Sequence, residues 1–490
     1  MEKAVRPFGK RDKISYALGD FGCNMSFALF SYLELFYTQY IGLDPKIWAI
    51  ILIFLKIWDG INDPIMGGLM DAIKPGKKGK FKTYIFYGSF VLAVAGVMCF
   101  LPIPNAPLAV KIIVCILGYL AWDTAYTVVN VPYGAMSAAI TADSGERASL
   151  STWRSIGAGI ANVIIMVGIP LVCMDKDDNL IGMNVFIMSI VLGLIGFVAF
   201  QILVKGTTER VQIETPSEEK PKFNYFKAVG AFLKNRSAVG VTLASIFCLV
   251  TMNGLATANQ ILFQSFFEMA QLSGLISLVS YLPLVGGMAL IHPMVKKYGK
   301  KAVATYPTIF GIVAGILMAT LPIKPNTFGL IIWIILSMMN GIATAMFSVI
   351  CWAMVSDCID YQEYKTGRRE EGTVYAIYSL GRKLAQGFGP ATITLIMVGL
   401  GYNNKLKADQ PFEVANNIRV MIGCVHAVCA LLQFLFLKFI YNLDKKKVAE
   451  MESYFGRVPT ANVVGNLELA ECASSDVSNE KIDDDITNIE

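Results

Sequence analysis

Between Lys56 and Asp71 the sequence KIWDGINDPIMGGLMD sets Asp59, Asn62 and Asp63 inside one of the most apolar stretches of the chain. Residues i, i+3 and i+4 share one face of a helix, so the spacing predicts two carboxylates and an amide oxygen converging on one space. A carboxylate at the centre of a membrane helix costs about 2.5 to 3.5 kcal/mol even on lenient insertion scales, so a pair of them implies a function. Hard oxygens in that arrangement suit a small cation, Na⁺ or Li⁺ held by Asp59 and Asp63, or a proton.

Other polar residues fall inside apolar runs with helical spacing. Asp20 and Asn24 are one turn apart, as are Asp123, Thr127 and Asn130, and Pro132 with Gly134 then offers a kink. Arg154 lies about one turn into its run, and Arg382 and Lys383 fall near mid-depth of another. Acids therefore gather in the N-terminal half, and at least one buried base belongs to the C-terminal half.

The elements that must hold these residues are membrane helices. The 490 residues are 55% hydrophobic and 16% charged, with a mean hydropathy of +0.54, too little charge for a soluble globular chain. Twelve apolar runs are long enough to span a bilayer: 14–42, 46–72, 83–103, 108–141, 151–174, 183–204, 238–267, 271–294, 302–323, 326–355, 373–400 and 415–441. Lysines and arginines cluster before the first run and after the second, eighth, tenth and twelfth, whereas the opposite loops are short and poor in base. The bias puts both termini in the cytoplasm. It also accounts for the net charge of +5 without a nucleic-acid partner.

A polar segment at 205–236 divides the runs six and six, giving an N-terminal bundle (1–204), a cytoplasmic linker and a C-terminal bundle (237–446). A weak repeat supports the division: Gly67-Gly68 followed by KPGKKGKFK resembles Gly286-Gly287 followed by VKKYGKK. Parallel halves of this kind enclose a central cavity in transporters. The tail at 447–490 is acidic, poor in aromatics and expected to be disordered. Ten cysteines lack metal or redox spacing and read as small core side chains. No cofactor, nucleophile or metal constellation suggests an enzyme.

Three stretches then carry a resemblance over about residues 10 to 445: KIWDGINDPIMGGLMDAIKPGKKGKFK, NVPYGAMSAAI with the downstream ERASLSTWR, and WAMVSDCIDYQEYKTGRREEGTVYAIYSLGRKLAQG. They resemble the glycoside-pentoside-hexuronide:cation symporters of the major facilitator superfamily, which include the melibiose carriers. The resemblance implies an all-α membrane protein with the major-facilitator fold, twelve transmembrane helices in two six-helix bundles. It implies a multi-pass, monomeric protein of a bacterial cell membrane. Asp59, Asn62 and Asp63 become cation ligands completed by Thr127. Arg154 and Lys383 match positions that line the sugar cavity, Trp352 is a candidate stacking platform, and Tyr378 is a candidate cavity residue. Arg147, Asp357, Asp360 and Glu363 match a cytoplasmic network that holds the halves together when the cavity opens outward, and Asp71 matches a gating loop.

The chain also departs from the melibiose pattern. Asn130 replaces the acid that holds galactose hydroxyls, Gly134 replaces a tryptophan four residues later, and Asn24 replaces an acid of the first span, where Asp20 can substitute. Melibiose is therefore not the expected substrate. Arg154 and Lys383 leave room for an anionic sugar such as a hexuronide, and pentosides are equally compatible. The expectation is symport of a sugar with Na⁺, Li⁺ or H⁺ by alternating access, the sugar bridging the halves through Asn130, Arg154 and Lys383. A cation-coupled lysolipid or other amphiphile carrier is the alternative, and a sugar sensor without transport a more distant one.

Overall fold

The structure, a computed structural model, describes residues 6–72, 79–141, 144–210, 232–280, 282, 291, 293–366 and 371–455. Helices account for nearly all of it. The first rod, α1, runs over 10–40 and is not uniform: Lys10–Phe27 is α-helical, Ala28–Tyr32 tightens to a 3₁₀ turn, Leu33–Leu35 is α-helical again and Phe36–Tyr40 widens to a π turn. Then come α2 (Pro45–Ala72), α3 (Lys80–Cys99), α4 (Leu108–Ile140), α5 (Ser144–Cys173) and α6 (Gly182–Gly206). The second half holds α7 (Arg236–Ser265, with a π turn at Val250–Gly254), α8 (Ser273–Ser280), α9 (Lys300–Thr320), α10 (Thr327–Thr366), α11 (Glu371–Gly399) and α12 (Phe412–Ile440). A short amphipathic helix, α13 (Lys445–Tyr454), follows.

Among the described residues eight helices are long and apolar enough to cross a membrane by composition alone: α3 to α7, α9, α10 and α12. The other four are informative. Most of α8 beyond Ser280 lies outside the described residues, while α1, α2 and α11 are the rods broken or charged by Asp20, Glu34, Lys56, Asp59, Arg382 and Lys383. Polar cost is concentrated in the helices that carry the chemistry.

The packing repeats. In the first half α1 lies on α5 and α6, α3 on α4 and α6, and α2 on α4; in the second, α7 lies on α11 and α12, α9 on α10 and α12, and α8 on α10. These are two six-helix bundles of the same plan. They meet through two crossings, α2 with α11 and α5 with α8, which the repeat makes equivalent. At the first, Gly387 leaves space that the Lys56 stem fills, and at the second a Cβ on Gly274 would collide with the carbonyl of Met166.

At the base-poor face polar bonds knit the halves. Gln39 donates to Gln264 (3.1 Å) and to Tyr402 (3.1 Å), Asn404 donates to the carbonyl of Thr38 (2.7 Å), Gln271 to that of Met174 (3.1 Å), and the Ala270 N–H to Asp178 (2.7 Å). At the basic face Asp12 ties α1 to the end of α6 and the start of the linker, accepting from Arg6 (2.8 Å), Arg210 (3.0 Å) and the Thr208 N–H (3.2 Å).

Two boundaries differ from the sequence reading. Helix α10 continues eleven residues past 355, because a helix needs no lipid to persist once it leaves the apolar layer, so Asp357, Asp360 and Glu363 stand on it. The polar tail expected from 447 begins as α13, capped by Asp444 accepting from the Lys447 N–H (2.9 Å) and packed through Tyr454 on Tyr364 of α10. Residues 456–490 lie outside the described residues.

Candidate functional site

The α2–α11 crossing brings charge from both halves together. Asp59, on α2, accepts from Lys383 of α11 at 3.1 Å through Oδ1, while the same ammonium donates to the Asp59 backbone carbonyl at 2.9 Å. Its other oxygen accepts from Lys56, one turn earlier on α2, at 3.2 Å. All three side chains are under a fifth exposed. Two ammonium groups thus hold the carboxylate of Asp59, expected from sequence as a cation ligand, in this conformation. Lys383, expected among sugar ligands, is the cross-half partner of that acid.

One turn on, Asn62 is buried and donates to Thr127 (3.1 Å) and Asp123 (3.4 Å), both buried on α4. Asn62 and Thr127 therefore come together as expected, and Asp123 joins them. Helical spacing had marked Asp123 as polar without making it a ligand. Carboxylate, amide and hydroxyl oxygens at this joint are the hard donors a small cation takes. The backbone of Asp63 continues α2, and its side chain, with those of Asp71 and Arg147, falls outside the described residues.

Across the first half a second pair forms. Arg154 on α5 donates to Asp20 on α1 at 2.9 Å and lies over the Tyr133 ring at 5.1 Å. Tyr133 donates in turn to the Tyr16 carbonyl (2.9 Å), which fixes α1 against α4. Asn24 turns back to the carbonyl of Asp20 (2.8 Å), and Asn130 accepts a long contact from the Cys23 thiol (3.6 Å). Gly134 lies one turn below Asn130, and a Cβ there would meet none of the described residues within 4 Å.

In the second half Trp352 on α10 is 43% exposed. Its ring meets Tyr378 edge-on at 5.3 Å and carries the Arg382 guanidinium at 5.0 Å. Tyr378 departs from the expectation of a cavity residue: it is fully buried, accepts from Arg382 (3.2 Å), and shares a hydrogen bond with Ser245 (3.0 Å). Packing beneath Trp352 leaves it a support for Arg382.

Of the expected cytoplasmic network, Asp357 pairs with Lys300 of α9 at 2.7 Å, within its own half. Asp360 and Glu363 follow at successive turns, half-buried. The residue that sequence reasoning missed altogether is Glu34. It is buried between the halves near the base-poor face, accepting from Thr257 of α7 at 3.0 Å and from Thr394 of α11. A carboxylate within the apolar run FALFSYLELFYTQY was the available signal. A small, mainly apolar depression lined by Met25, Leu29, Phe30, Leu92 and Trp122 includes none of these charged residues.

Comparison with known proteins agrees with this architecture. The family model described as MFS/sugar transport protein matches residues 15–445. An uncharacterized symporter of Bacillus subtilis is 31% identical over 90% of this chain and 94% of its own length. A putative sulfoquinovose importer of Salmonella typhimurium is 28% identical over 90% of this chain and 91% of its own. Among solved structures, that of a nucleoside transporter superposes with a TM-score of 0.63 at 13% identity, covering 87% of this chain and 99% of that one, a likeness of fold.

Proposed function

Because the chain belongs to the MFS/sugar transport protein family, and is a multi-pass cell-membrane symporter that couples sugar movement to a cation, we propose that Asp59 is the residue through which cation and sugar communicate. The observation that carries this is the grip of Lys383, from the second half, on a carboxylate of the first. A cation arriving among Asp59, Asn62, Asp63 and Thr127, with Asp123 beside them, competes with that ammonium. Released, Lys383 is free to engage a sugar, and the α2–α11 crossing loses its charged tie.

On this reading the sugar bridges Asp20, Asn24, Asn130 and Arg154 on one side and Trp352 and Lys383 on the other. The room at Gly134 among the described residues supports a pocket shaped differently from one closed by a tryptophan. Each ligand raises the affinity of the other, because coupling of binding free energies is reciprocal. One positive charge moving through 100 mV supplies roughly 2.3 kcal/mol, about fifty-fold accumulation, so a single cation per sugar suffices. Na⁺, Li⁺ and H⁺ all fit the donor types.

The test is uptake into vesicles of a panel of glycosides, pentosides and hexuronides under an imposed Na⁺, Li⁺ or proton gradient. Asp59→Cys and Asp63→Cys should each abolish uphill uptake while the protein remains in the membrane. Accumulation by either variant without a cation gradient would sink the coupling role.

A further inference from the structure

The geometry points to Arg382 as the specificity-determining residue of the substrate site, recognising a compact anionic group, a carboxylate or sulfonate, on the transported sugar. The inference rests on the sugar-symport reading and narrows its substrate class.

Four bases stand at the α2–α11 crossing or in the Arg154–Asp20 pair, and three of them have acid partners. Arg154 is paired with Asp20, and Lys56 and Lys383 share Asp59. Arg382 has no acid partner among the described residues. Its Nη1 donates to Tyr378 (3.2 Å) and lies 4.0 Å from the Cys351 sulfur, and its plane is held near the Trp352 and Tyr378 rings at 5.0 and 5.6 Å. Rings and a neutral hydroxyl orient a guanidinium but supply no net negative charge. A half-buried guanidinium with no acid beside it among the described residues is left to attract an anion from outside.

The contacts also leave the right part of the group available. Nε and Nη2 make no hydrogen bond to the described residues, so two donors of a rigid planar fork remain. That fork matches the two oxygens of a carboxylate or sulfonate, which a lysine ammonium would meet only as a point charge. The fully buried Tyr378 closes one side, while Trp352 is 43% exposed and marks the open one. Position is consistent too: Arg382 adjoins Lys383, whose ammonium crosses to the first half. The two bases that made an anionic sugar plausible from sequence, Arg154 and Lys383, are both neutralised by acids of the first half. The uncompensated charge is one residue away.

The test is direct binding to the purified full-length protein, which needs no gradient and is therefore separable from coupling. Calorimetry would compare 4-nitrophenyl β-glucuronide and β-galacturonide with the neutral β-glucoside and β-galactoside. Wild type should bind at least one uronide about tenfold or more tightly than its neutral counterpart. Arg382→Gln should bring that pair to within about twofold, chiefly by weakening the uronide, and Arg382→Lys should keep part of the preference. Binding of none of the four, equal affinity in wild type, or a loss in Arg382→Gln that falls equally on charged and neutral ligands would each overturn the inference. Should Arg382→Gln fail to fold, an undiminished preference in Arg382→Lys would overturn it as well, because a planar fork would then be unnecessary. Preferential uronide binding without uphill uptake would fault the symport reading alone.

Discussion

Replacing Lys383 by methionine should tighten cation binding. The Lys383 ammonium lies 3.1 Å from Oδ1 of Asp59 and 2.9 Å from its carbonyl oxygen, with both side chains less than a fifth exposed. At an effective dielectric of about 20, a pair at that separation attracts by roughly 5 kcal/mol. Several kcal/mol of desolvation per ion offset much of this. A net of about 1 to 2 kcal/mol remains that an arriving cation must overcome, while Lys56 at 3.2 Å persists in both proteins. Methionine keeps the length and apolar stem and removes only the competitor. The dissociation constant for Na⁺, Li⁺ or H⁺, whichever drives uptake, should therefore fall by about tenfold, measured by calorimetric titration of the purified protein. The same variant should lose most of the dependence of sugar affinity on the cation, since the ammonium that exchanged partners is gone. A folded Lys383→Met protein with unchanged or weaker cation affinity would refute the competition argument.

Glu34→Ala removes the buried acceptor of Thr257 and Thr394 and leaves at least one hydroxyl unsatisfied at about 1 to 3 kcal/mol. A cysteine placed at Gln264 should then react with an external thiol reagent about tenfold faster, whereas Glu34→Gln should restore the wild-type rate. Gly274→Leu should block the α5–α8 approach at Met166, abolishing transport while ligand binding survives; normal turnover would show that this crossing never closes so tightly. Asp12→Ala removes the carboxylate shared by Arg6 and Arg210, which keep only backbone carbonyl partners, and the acceptor of the Thr208 N–H. It should cost about 1 to 3 kcal/mol and lower the melting temperature by about 2 to 5 °C, with sugar affinity unchanged in the surviving folded fraction.

The helices were legible because a bilayer imposes length and apolarity on whatever crosses it, and both are written residue by residue. What ends at the lipid boundary was legible only that far, so α10 read as stopping at 355 where it runs to Thr366. The acids and bases of the site were equally visible, since each is an expensive residue in an apolar run. Their partners were not. Asp59 and Lys383 are 324 positions apart and Arg154 and Asp20 are 134, so the first pairing depends on how the two bundles face each other and the second on how α1 and α5 pack within one. Glu34 gave the same signal as Asp59, but its neighbours at helical spacing, Ser31 and Thr38, are hydroxyls and no second acid reinforces it. Its partners, Thr257 and Thr394, belong to the other half and are unremarkable hydroxyls in sequence.

The two crossings that join the halves are equivalent by the repeat and unlike in chemistry, and that difference locates the coupling. At α5–α8 the described contact is backbone against glycine, Gly274 on Met166, an interface that resists compression and has little to gain from a passing charge. At α2–α11 the contact is an ion pair laid over a lysine stem seated on Gly387, an interface whose strength depends on the charge state of Asp59. On the proposed coupling, a cation would change the second and leave the first alone. Rocking of one half on the other would then pivot on the steric crossing and be licensed at the charged one. On that basis, substitutions of equal size at the two crossings should behave oppositely: bulk at Gly274 should stop movement whatever the cation, whereas Lys383→Met should permit movement that no longer waits for it.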